Sequence, residues 1–144
     1  MEIAAMGRVL TEAAVENLKD LWDAERGMIP QEKIRRITVT DALADSGATT
    51  LALPTRLIKQ LGLTKGYEKR GRSTTGPSMI SVYEAVRLTI QDRTCIVEVM
   101  EVPDDVPVLI GQIPLEMLDL VVDMRDRRLT GNPAHGGEQM LELY

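Results

Sequence analysis

Three residues of this 144-residue chain stand out as candidates for catalysis: Asp45, Cys95 and His135. Asp45 lies in ITVTDALADSGATTLALP, residues 37–54, between an apolar run and a small Ser46-Gly47-Ala48 turn, with a second apolar run close behind. Taking a charge out of water costs several kcal/mol unless it is paired or neutralised. An acid in that setting therefore either caps a plain turn or is kept for chemistry. His135, in NPAHGG, is the only histidine; with no cysteine or second histidine nearby a metal site lacks ligands, and it reads as a loop residue. Cys95 lies in a strand-like stretch far from that histidine, so no base is at hand to activate the thiol and a small buried hydrophobe is expected.

The elements that position these residues are short. Before residue 34 two patterns overlap: Leu10, Ala14, Leu18 and Leu21 or Trp22 recur at helical spacing up to Gly27, while Val9, Thr11, Ala13 and Val15 line one face of a strand. Trp22 either anchors this segment on the core or marks a partner surface. Ile37 to Thr40 alternates and is β-branched, a half-buried strand that DALAD extends towards Asp45. After the turn, TTLALP predicts another strand and PTRLIKQLGL a short helix stopped by Gly62. Lys65 to Arg72 is charged and expected to be exposed, and Gly76-Pro77 punctuates a hairpin between two extended arms. Val86 to Ile90 and Thr94 to Val99, joined through Gln91-Asp92-Arg93, form the clearest hairpin. Beyond an acidic loop bracketed by Pro103 and Pro107, VLIG reads as a buried strand, IPLEMLDL as a short helix and LVVDMRDRRLTG as a hairpin with a charged tip. A loop and a last strand are expected in NPAHGGEQMLELY. The basic clusters Lys69 to Arg72 and Arg125 to Arg128 read as solvated loop tips.

The length fits one domain, residues 1–144, with a core too small for two independent lobes. Aromatics reach only 3% and Phe is absent, so the core must be built from aliphatic residues and there is little with which to stack on nucleobases. A net charge of -5 also argues against nucleic acid, whose binding is driven by cations releasing counterions. No stretch has the roughly 20 apolar residues needed to cross a bilayer. A single cysteine and the lack of a basic and apolar leader predict a reducing, cytoplasmic home. No metal or other cofactor is expected.

Asp45-Ser46-Gly47-Ala48, followed about 60 residues later by Leu109-Ile110-Gly111 leading into a short helix, resembles the retropepsins, the single-lobed aspartic proteases of retroviral type, and among them the small cellular and bacterial members. The likeness spans residues 36–130 and keeps the family's order of elements. It implies an all-β, closed barrel of short strands with one or two short helices, acting as a homodimeric aspartic endopeptidase on peptide or protein substrates. One carboxylate activates water while the other, protonated, hydrogen-bonds the scissile carbonyl; two carboxyls about 3 Å apart share one proton. With one such motif per chain, the second Asp45 must come from a symmetry mate. The resemblance further implies that Ser46 bonds across the dimer, that Gly47 lets the two backbones approach, that Leu109, Ile110 and Gly111 support the turn with Ala48, and that Thr75, Gly76 and Pro77 form a flap over substrate. Two departures stand out. Pro77 has no N–H to give a substrate, and Thr49 with Gln112 replaces an acid and arginine pair usual in viral members, a joint loss that leaves no unpaired charge. A catalytically inactive dimerisation or peptide-binding module on the same scaffold is the competing expectation. The role of residues 1–34 stays open between an autoinhibitory lead, an added interface strand and a docking surface.

Overall fold

The computed structural model describes residues 8–73 and 75–142. Both patterns of the first segment are used in turn. Val9, Ala13 and Val15 are buried at the two-residue period of a strand, β1 (Leu10–Asn17), and a helix, α1 (Leu18–Glu25), follows directly. Asn17 makes the switch: its Oδ1 accepts the Asp20 N–H at 3.0 Å, capping the helix, and its Nδ2 donates to the Leu61 carbonyl at 2.8 Å. Gly27, at φ +74°, ends the helix, and Trp22 on its outer side is half exposed. Arg35 clamps Asp20 through Nε and Nη2 and holds its carboxyl below the usual carboxylate range. Replacing Asn17 by Ala removes a cap and orphans a buried carbonyl, so thermal or denaturant unfolding should show a loss of about 2–3 kcal/mol.

The remaining elements are β2 (Arg36–Ala44), β3 (Leu51–Pro54), α2 (Thr55–Leu61), β4 (Lys65–Ser73), β5 (Gly76–Ile90), β6 (Arg93–Val102), β7 (Leu109–Ile110), α3 (Gln112–Met117), β8 (Leu120–Asp123) and β9 (Arg128–Gly131). The protein is mainly β with short helices. One seven-stranded sheet has the order β1-β2-β7-β3-β6-β5-β4, and β1 also pairs with β5, so the pairing closes on itself and leaves β4 outside; β8 and β9 form a separate pair. The enclosed core is aliphatic, with Val15, Leu51, Leu53, Leu61, Leu88, Ile90, Ile110 and Leu118 among its buried members. No helix among the described residues is long and apolar enough to cross a membrane.

Three sequence expectations need correction. Ile90 pairs directly with Arg93, so the β5–β6 turn has two residues, and Gln91 and Asp92 both take positive φ, 52° and 62°, as a tight turn between twisted strands requires. Lys69 to Arg72 is not a loop tip but part of β4, which is polar on both faces because almost all of it is exposed. Of the second cluster, Arg125 to Arg127 lie at the hairpin tip between β8 and β9, while Arg128 opens β9 opposite Asp123. No last strand follows β9 among the described residues; Pro133–His135 is one 3-10 turn and the chain through Glu142 is irregular.

Candidate active site

Strand β2 delivers Asp45 to the surface. Its N–H donates to the Ile110 carbonyl at 2.9 Å, its carbonyl accepts the Ala48 N–H at 3.0 Å, and its Oδ1 accepts the Gly47 N–H at 2.9 Å. The side chain thus caps its own turn, while no hydrogen bond among the described residues uses Oδ2. Asp45 is half-buried; Ala42, Leu43 and Ala44 before it are buried, but Ser46, Gly47 and Thr49 after it are exposed. The apolar runs on both sides, through Ala44 and from Thr50 to Pro54, are buried as the sequence suggests, and only the turn between them is open. Within a single chain the carboxylate keeps contact with water.

The turn is interlocked with the start of α3. Gly111 N–H donates to the Thr50 carbonyl at 3.0 Å, Gln112 N–H to Ala48 at 2.8 Å and Ile113 N–H to Thr49 at 2.9 Å. A Cβ on Gly111 would fall 2.6 Å from both the N and O of Thr50 and 2.7 Å from the Ala48 carbonyl, all backbone atoms. Only glycine allows this approach. Ile110 pairs with Ala44 on one side and Leu51 on the other, and Leu109 likewise with Leu43 and Ala52. The fold accordingly brings together Asp45, Ser46, Gly47, Ala48, Leu109, Ile110 and Gly111. The Gln112 side chain turns to Glu116, 2.6 Å away, so Thr49 and Gln112 communicate only through the backbone of their loop.

A feature absent from the sequence reading lies beside the turn. Leu43, Ala52 and Leu109 form an aliphatic cluster separate from the main core, edged by Val102 and Val106. Leu43 lies near the end of β2, two residues before Asp45. Pairing across three strands made this cluster, which no local pattern announces.

The predicted hairpin exists, with shifted arms. Its strands are β4 and the first part of β5, and its tip lies between Ser73 and Gly76, with Thr74 outside the described residues. Thr75 is in the turn, its hydroxyl 2.9 Å from that of Ser73, and Gly76 has φ +119°. Pro77 sits beyond the tip, opposite Arg72. Because proline has no N–H, that pair occupies a non-hydrogen-bonded position and the ladder passes through it unbroken.

The histidine proves to be more than a loop residue. A groove lined by Ser46, Gln112, Glu116, Leu120, Met140 and Leu141 also has His135 and the buried Asp119 in its wall. Asp119 receives His135 Nδ1 at 2.6 Å, Asn132 Nδ2 at 3.1 Å and the Met140 N–H at 3.0 Å. His135 holds the Asp119 carboxyl below its usual range, and Asp119, then Glu142, raise the imidazole above its own. Asp119 adopts φ +55°, which turns its side chain towards a partner 16 residues on; nothing in the spacing of the sequence signals it. Cys95 is buried in β6 with its thiol pushed up to about 11 by burial, which makes it a packing residue.

A family model described as aspartyl protease matches residues 33–113, more than half of the chain. The comparison with curated proteins gives no match.

Proposed function

Because this chain belongs to the aspartyl protease family, of the retropepsin-like kind, we propose that it is a homodimeric aspartic endopeptidase whose dyad is Asp45 and the Asp45 of a second copy. The observation that carries the reading is the Asp45 carboxyl itself, held by its turn through Oδ1 with Oδ2 left unused among the described residues. The glycine-tight backbone around Gly111 supports it by fixing the turn, and a shared-proton site needs such rigidity.

In the proposed dimer two turns meet at a twofold axis. One carboxylate takes a proton from water as the water attacks the scissile carbonyl, and the protonated partner donates to the carbonyl oxygen as charge develops there. The proton then moves to the departing amine. Ser46, exposed in the single chain, bonds across the axis, and Gly47 permits the close approach. Substrate side chains rest on the aliphatic cluster of Leu43, Ala52 and Leu109. The arm bearing Thr75, Gly76 and Pro77 closes over the peptide and excludes water.

A protein that works this way sediments as a dimer, cleaves an unfolded protein substrate best at mildly acidic pH, and loses specific activity on dilution as dimers dissociate. Cleavage by a species that stays monomeric at every concentration would end the proposal. The exposed outer strand β4 favours one second reading, a peptide-binding module that adds a strand to that edge without cutting. Peptide affinity unaffected by Asp45→Asn, with no cleavage by either form, would select it.

A further inference from the structure

The Asp119, His135 and Glu142 cluster lies outside the proposed dyad, yet it sits in a groove that reaches Ser46, the neighbour of Asp45. The segment 132–142 crosses this groove as a strap. Asp119 ties it down at several points: its carbonyl accepts the Asn132 N–H at 3.0 Å, and its carboxyl holds Asn132, His135 and Met140. Arg93 adds bonds to the carbonyls of Leu118, Asp119 and Gly137. At the far end His135 Nε2 lies 3.4 Å from Glu142 Oε1.

We propose that Asp119, His135 and Glu142 form a proton-operated latch that fixes the end of this strap, residues Met140 to Glu142, as a wall of the groove beside the Asp45 turn. The reason is a count of donors. Each ring nitrogen of His135 faces a carboxylate oxygen, and carboxylates only accept. The imidazolium has an N–H for both; the neutral ring has one. Asp119, buried and bonded to three groups, keeps it, and the bare Nε2 lone pair then opposes Glu142. The strap end is released.

The charges around the ring agree. Asp119 and Glu142 face it, Glu116 lines the same groove, and the nearby cation, Arg93, is engaged with backbone carbonyls. The imidazole value is raised, so its contribution is complete below the ordinary value of 6.5 and is lost as pH rises through the raised one. The Asp119 value is lowered, so its contribution holds above the ordinary 3.8 and is lost as pH falls through the lowered one. The latch is closed between these two limits.

His135 is the only histidine, so its ring proton gives one unambiguous NMR titration in the intact protein. Amide exchange at Met140, whose N–H donates to the Asp119 carboxylate, should, after correction for intrinsic rate, lose protection several-fold across that midpoint as the strap end is released. Glu142 is 77% exposed, so Glu142→Gln leaves the fold intact, and it should lower the His135 midpoint and shrink the step at Met140. Met140 protection that stays flat through the titration overturns the latch, as does a Glu142→Gln protein whose His135 midpoint is unmoved. Neither readout requires peptide cleavage, so the latch and the dyad stand or fall separately.

Discussion

Asp45→Asn should abolish peptide cleavage while leaving fold and association intact. The amide is nearly isosteric, and its Oδ1 still accepts the Gly47 N–H, so the turn keeps its cap and unfolding should change by no more than about 0.5 kcal/mol. What is lost is a group able to exchange a proton with water. General acid and base catalysis contributes about 10²–10⁴-fold per positioned group, and a symmetric dimer loses both at once, so cleavage should fall at least through that range. A continuous peptidase assay beside a thermal melt separates the two effects. Undiminished cleavage by Asp45→Asn would remove Asp45 from the chemistry.

Gly111→Ala should be the most damaging single methyl in the chain's Asp45 region. The added carbon meets three backbone atoms at 2.6–2.7 Å, and backbone cannot swing aside as a side-chain end can. Either the 48–50 loop moves, breaking its bonds to residues 111–113, or β7 shifts against β2 and β3. Overpacking of this kind costs about 3 kcal/mol, and a displacement of 1 Å at a catalytic group costs about 10²-fold in rate. Denaturant midpoints should therefore drop together with activity. Gly111→Ala with unchanged stability would mean that the approach of these two loops is not tight in solution.

The aspartyl protease match and the fold bear on different parts of this picture. Matching residues 33–113 stop just inside α3, short of β8, β9 and the strap. The latch therefore lies wholly in a part of the chain to which the family model does not extend, and it rests on geometry alone.

What the sequence determined was whatever depends on neighbours. The alternation of Ile37 and Val39 made β2 legible, Gly62 ended α2, and Asp-Ser-Gly-Ala marked the turn at Asp45, because period and turn chemistry are set within a few residues. The first segment was ambiguous for the same reason: a strand period ending at Asn17 runs into a helix period starting at Leu18, and each pattern borrows residues from the other. β4 gave no sign of being a strand, since KGYEKRGRS buries neither face and so carries no alternation to read. Tertiary structure alone decided the rest. Glu16 reaches Arg87 across 71 residues, Asp119 reaches His135 through a left-handed backbone, and Leu43, Ala52 and Leu109 become one cluster only when three strands align. Such contacts reward chain closure over long distances, and the sequence records the residues that make them without recording which will meet.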